Sequence, residues 1–284
     1  MIGPNTLLID KIIDNALAED LGPGDLTTEA LIDPSIKGKA RLVPREEMVL
    51  AGIEVFGRVF SRLDPDIALE WNFQDGDVVP AGRDIGVVEG SLRGILSAER
   101  TALNFLQHLS GIATLTKRYV DKAGPFKVRV VDTRKTTPGL RILEKYAVRV
   151  GGAHNHRLGL FDGVLIKDNH IAAAGSISRA VEKIRADVPH TVKIEVEVDD
   201  LKGLEEAMRV GADAVLLDNM AIDEMKEAVS IAGGRVLLEA SGGITLETIG
   251  EVAQTGVDLI SVGALTHSAR SVDISLEIIE KVEY

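Results

Sequence analysis

The second half of this 284-residue chain alternates two kinds of segment, and the alternation leaves few folds open to it. Short apolar, β-branched runs occur at residues 128–131, 163–166, 192–198, 214–217, 236–238 and 259–262. Between them lie stretches of helical spacing at 176–188, 201–211, 222–233 and 245–256, and several close on glycine, as helix C-termini do. Strand–helix units repeating every 20 to 35 residues or so call for a parallel sheet with crossover helices. Six such strands without a glycine-rich dinucleotide fingerprint predict an α/β barrel of parallel strands, open or incomplete, rather than a doubly wound sheet.

The first hundred residues read differently. An opening helix is predicted at about 6–20, followed by the turn-rich EDLGPGDLTTE, β-like segments with DG and GD turns, and a helix at about 97–109. The expected organisation is an N-terminal α+β sandwich-like domain over 1–108, joined by the C-terminal segment 269–284, with the barrel over 109–268. DGDVVPAGRDIGVVEG resembles the half-motif of biotinyl and lipoyl carriers, but no lysine stands at a hairpin tip, so it reads as scaffold.

Composition narrows the function. The chain has no cysteine, which excludes disulfides, cysteine-ligated metals and a thiol nucleophile. Its start lacks the basic and apolar regions of a signal peptide, and no apolar stretch approaches the roughly 18 residues of a membrane span. A cytoplasmic protein without membrane association is expected. The net charge of −12 argues against nucleic acid as a partner. Between Arg129 and His170, however, eight Lys or Arg stand against four acids, which suggests a pocket for a small, strongly anionic ligand.

In a βα barrel the loops after the strands converge on the active site. The six strand exits here read Asp132-Thr133-Arg134-Lys135, Lys167-Asp168-Asn169-His170, Glu195 with Glu197, Asp218-Asn219, Glu239-Ala240-Ser241-Gly242-Gly243, and Ser261-Val262-Gly263. The last two precede predicted helices, one from near Thr245 and one short. Glycine turns and helix N-terminal amides suit a phosphate. His154, His156 and His170 lie close in sequence but without helical ligand spacing, so hydrogen bonding to an anion is expected of them rather than transition-metal binding. Glu197 and Asp218 suit a hard cation such as Mg²⁺, or a developing positive charge.

DTRKTTPGLRILEKYAVRVGGAHNHRLGLFDGVLIKDNHI (132–171), with KIEVEV, VLLDN, LEASGGI and ISVGALTHS, closely resembles the quinolinate phosphoribosyltransferase family. EDLGPGDLTTE and SAERTALNFLQHLSGIAT match it as well. The resemblance implies that quinolinate and 5-phosphoribosyl 1-pyrophosphate (PRPP) yield nicotinate mononucleotide, pyrophosphate and CO₂, with Mg²⁺ accompanying PRPP and no organic cofactor. It also implies a homodimer, in which the N-terminal layer of one subunit caps the barrel of the other. By motif, quinolinate falls to Thr133, Arg134, Lys135, His156, Arg157 and Lys167, with Arg100 arriving from the partner subunit. PRPP falls to Glu197, Asp218, Ser241, Gly242, Gly243, Ser261, Val262 and Gly263, with Glu197 and Asp218 also on the metal. Lys135, Lys167, Glu197 and Asp218 are the implied catalytic group. The EVEV match selects Glu197 over Glu195 as the inward residue. Rival readings are a paralogue acting on another acceptor, a nicotinate-specific transferase, and a non-catalytic binder of small anions.

Overall fold

In the computed structural model, which describes residues 6–282, the chain opens with helices α1 (Thr6–Leu21) and α2 (Leu26–Leu31). Strands β1 (Lys37–Pro44) and β2 (Met48–Val49), helix α3 (Ile53–Leu63), and strands β3 (Ala68–Trp71), β4 (Val78–Val79) and β5 (Gly86–Ser91) follow. The long helix α4 (Leu92–Ala123) leads to β6 (Arg129–Val131) and α5 (Arg141–Val150). Then come β7 (Val164–Ile166), α6 (Asp168–Ala174), α7 (Ile177–Asp187), β8 (Ile194–Val198), α8 (Leu201–Arg209) and β9 (Ala214–Asp218). The last elements are α9 (Ile222–Ala232), β10 (Leu237–Ser241), α10 (Ile249–Ala253), β11 (Leu259–Ser261), α11 (Ala264–His267) and β12 (Ile274–Val282).

Two units emerge from this order. The first takes the residues up to Lys117, Thr137–Gly152, and those from Ser268 onward. Its antiparallel sheet runs β12-β1-β5-β3, with Pro44 opposite Ile274 and Lys37 opposite Ser91. Helix α3 buries Val55, Phe56, Val59 and Phe60, and Phe56 meets Trp71 edge-on at 5.5 Å. The sequence reading gives α5 to the barrel, whereas by compactness it belongs to this first unit. Its buried face holds Leu143, Glu144, Ala147 and Val148, and the Glu144 carboxylate meets His108 Nε2 at 2.9 Å and accepts from Thr137 N.

The second unit takes Arg118–Thr136 and Ala153–His267. All six predicted strands form, as a parallel sheet in the order β6-β11-β10-β9-β8-β7. No ladder joins the edge strands β6 and β7 among the described residues, and β6 adds only a single parallel bridge from Val131 to His154, so the barrel is open. Strand alternation decides what points where. In β8, Ile194, Val196 and Val198 are buried, while Glu195 and Glu197 share the opposite face. Ser176 and Asp200 cap α7 and α8 by accepting from Arg179 N and Gly203 N. Among the described residues no helix is long and apolar enough to cross a membrane.

Candidate functional site

One cavity of about 760 Å³, a volume suited to small-molecule ligands, opens at the C-terminal ends of the parallel strands. Of the residues singled out from sequence, Thr133, Arg134, Lys135, His156, Arg157, Lys167, Glu197, Asp218, Ser241, Gly242, Gly243, Ser261, Val262 and Gly263 all line it. Arg100, His154, His170 and Glu195 do not. Arg100 is exposed on α4, in the first unit.

The cationic wall rests on two pinned loops. In the first, Thr133 Oγ1 accepts from Lys135 N at 3.1 Å, and the Thr266 hydroxyl donates to Lys135 O at 2.7 Å. In the second, fully buried Asp132 accepts from His156 N at 2.8 Å and from Asn155 Nδ2 at 2.6 Å. Arg157 Nη1 donates to Gly163 O, and Asp162 takes the amides of Leu158 and Gly159. Burial, and then the neighbouring Arg134, hold the Arg157 guanidinium below its ordinary value. The basic cluster of the sequence is divided between the units. Arg134, Lys135, Arg157 and Lys167 reach the cavity, while Arg141, Lys145 and Arg149 lie on α5.

A cradle of backbone adjoins these loops, after the neighbouring strands β10 and β11. Gly242 has φ +100°, and a Cβ there would lie 2.2 Å from Asn219 Oδ1. Asn219, with φ 55°, is the one non-glycine residue of positive φ among the described residues, a strained conformation of the kind found at functional sites. It is held by donating from its backbone to Ser241 O and from Nδ2 to Asp218 Oδ2, each at 2.9 Å. At Gly263 a Cβ would come within 3.2 Å of Lys135 Cδ. The expected helix dipoles are not part of this cradle. Helix α10 starts at Ile249 and has five residues, and α11 has four, too short to sum a useful macrodipole, and the loop residues Gly242, Gly243, Ile244 and Thr245 line the cavity themselves.

The carboxylates form two layers. In the upper layer Lys167 Nζ pairs with Glu197 Oε2, and Asp218 ends β9 beside Ser241. In the lower layer His156 Nε2 lies 3.0 Å from Glu195 Oε2 and 3.6 Å from Glu239 Oε2. Glu195 and Glu197 share a face, as residues two apart on a strand do, but of the two Glu197 lines the cavity, while Glu195 is engaged with His156. Glu239, a cavity-wall residue that stands among the strand exits read from sequence with no role assigned to it there, is 1% exposed, and its Oε1 has no hydrogen-bond partner. Burial first, and then Glu195, push its carboxyl up to about 7.

His156, Glu195 and Glu239 bring three possible ligand atoms within 4.8 Å of one another, the one such group among the described residues. The histidine speaks against a metal there. Its Nδ1 accepts from Arg157 N at 2.7 Å, which assigns the ring proton to Nε2, the atom that would have to bind the ion.

Two family models match the chain: the N-terminal domain of quinolinate phosphoribosyl transferase over residues 25–110 and its C-terminal domain over 112–277. The chain belongs to the quinolinate phosphoribosyltransferase family. Quinolinate phosphoribosyltransferase [decarboxylating] 1b of Nicotiana tabacum is 41% identical, the match covering 94% of this chain and 81% of that one. The crystal structure of NadC from Streptococcus pyogenes superposes with a TM-score of 0.95 at 43% identity, over 99% of both chains. The nicotinate-nucleotide pyrophosphorylase of Francisella tularensis gives 0.91 at 43% identity, over 97% of both.

Proposed function

We propose that this quinolinate phosphoribosyltransferase moves the phosphoribosyl group of PRPP onto the ring nitrogen of quinolinate and releases pyrophosphate, CO₂ and nicotinate mononucleotide. The observation that carries the reading is a cavity that gathers guanidinium and ammonium groups together with a glycine cradle. Arg134 and Arg157 suit planar, bidentate capture of the two pyridine carboxylates, and Lys135 and Lys167 add point charges. Ser241, Gly242, Gly243, Ser261, Val262 and Gly263 take the phosphates of PRPP. Glu197 and Asp218 stabilise the oxocarbenium-like ribose as pyrophosphate departs.

His156 lines the same cavity and joins the quinolinate-binding set, its ring held by Glu195 and by the Arg157 amide. Alkylation makes the pyridine nitrogen cationic, the adjacent carboxylate then leaves as CO₂, and the bonding pair left on the ring carbon, stabilised by the neighbouring cationic nitrogen, takes up a proton from water to complete nicotinate mononucleotide. Glu197 and Asp218 fit Mg²⁺, which takes one or two carboxylates and fills its shell with water and phosphate oxygens. When bound, the ion would offset the charge of the leaving pyrophosphate. The reading includes a cytoplasmic homodimer in which exposed Arg100 of one protomer reaches its partner's cavity.

The test is a product assay by mass spectrometry with purified protein, Mg²⁺, PRPP and carboxyl-labelled quinolinate, with nicotinate in parallel. Nicotinate mononucleotide and labelled CO₂ from quinolinate alone are expected. Product from nicotinate but not from quinolinate would overturn the acceptor assignment.

A further inference from the structure

Glu239 stands apart from the other acids of the cavity wall. Glu197 has Lys167, and Asp218 has the Asn219 amide. Glu239 is nearest to His156, at 3.6 Å, but His156 Nε2 lies nearer to Glu195, at 3.0 Å, and its Nδ1 is taken by Arg157 N. Across the β10 ladders its register neighbours are Leu216 of β9 and Leu259 of β11, and the Ser261 hydroxyl lies near. Of the charges that face it, Glu195 of β8 and Asp132 after β6 favour the proton and His156 opposes it, while burial is the largest influence and favours the proton. A carboxylate buried beside a second carboxylate, with one oxygen lacking any hydrogen-bond partner, is costly as an anion. The cavity wall meanwhile holds four cations, Arg134, Lys135, Arg157 and Lys167, against three acids.

We propose that the form of the enzyme that holds quinolinate best carries a proton on Glu239, and that this proton is a positioning and affinity device for quinolinate. Neutral Glu239 leaves the pocket four cations against two carboxylates; ionised Glu239 puts a further negative charge beneath the dianion. The inference rests on the reading of the cavity as the quinolinate site. Because the carboxyl sits at about 7, the proton is lost within the ordinary working range. The carboxylates of quinolinate stay ionised throughout that range. The sign follows: affinity for quinolinate falls as pH rises through 7.

Two measurements test this. The first is infrared spectroscopy of the protein alone across pH, in wild type, Glu239→Gln and Glu239→Asp. A protonated-carboxyl stretch that titrates near neutrality should be present in wild type and absent in the Gln variant. The second is KM for quinolinate between about pH 6 and 8.5. It should rise about tenfold in wild type, the effect of one added charge at several ångströms in a partly screened site, and stay flat in Glu239→Gln. Glu239→Asp, which keeps a carboxyl, should keep a rise. An unchanged stretch in Glu239→Gln overturns the proposal, as does a rise in KM that survives that substitution. Absence of turnover with quinolinate, with the stretch present and titrating, would instead overturn the site's assignment while leaving the proton in place.

Discussion

Acids stand at both ends of the parallel strands, and they serve differently at each. At the N-terminal ends, Asp213 accepts from Ile194 N at 2.9 Å and donates its own amide to Ile194 O at 2.8 Å. Asp258 treats Leu238 in the same way, at 2.9 and 3.0 Å. Each carboxylate is used up in finishing a neighbouring strand. A shallower depression of about 400 Å³ lies at this end, but its Arg235 donates to Ile231 O and Ala232 O and so closes helix α9. At the C-terminal ends, Asp132 is the residue that ties loops together, and it leaves Arg134, Arg157, Lys167, Glu197 and Asp218 on the cavity wall. A polar residue at a strand end marks a site only where the backbone does not consume it.

Substitutions at the two ends should therefore separate catalysis from stability. The largest effect is expected at the C-terminal end. Arg157→Ala removes a candidate charged partner of a carboxylate and should lower kcat/KM for quinolinate by about 10²–10³-fold in steady-state assays, with little change in melting temperature.

Glu239→Gln should alter how stability depends on pH. The folded protein holds this proton up to about 7, whereas the ordinary value is near 4.5, so wild type loses stability as pH rises between the two. The variant should escape that loss, by at most about 3 kcal/mol near pH 8 and by nothing near pH 4, as measured by chemical denaturation. A difference that did not vary with pH would break the assignment of the proton to Glu239.

Gly242→Ala meets Asn219 and a positive φ together, and should cost about 1–3 kcal/mol and raise KM for PRPP more than that for quinolinate. The smallest effect is expected at the N-terminal end. Asp258→Ala should cost about 1–2 kcal/mol of stability, read by urea denaturation, and leave the kinetic constants unchanged.

The strands were legible because β-branched runs bounded by polar exits carry their own signal, and each of the six forms within about three residues of its predicted ends. Glu239 was legible in principle. It lies two residues before Ser241 on the same strand, hence on the same face, as a charge in the middle of an apolar run. The same rule makes Glu195 and Glu197 companions. The start of α10 was not legible from helical spacing alone, because Thr248 Oγ1 accepts from Thr245 N and this local turn displaces the first helical turn.

The most direct test of the account is a paired measurement on Arg157→Ala and Asp258→Ala, with kcat/KM for quinolinate and melting temperature taken from the same preparations. Arg157→Ala should lose kcat/KM and keep its melting temperature, and Asp258→Ala should do the reverse. Full catalytic efficiency in Arg157→Ala, or a kinetic loss in a normally stable Asp258→Ala, would contradict the placement of the site at the C-terminal ends of the strands.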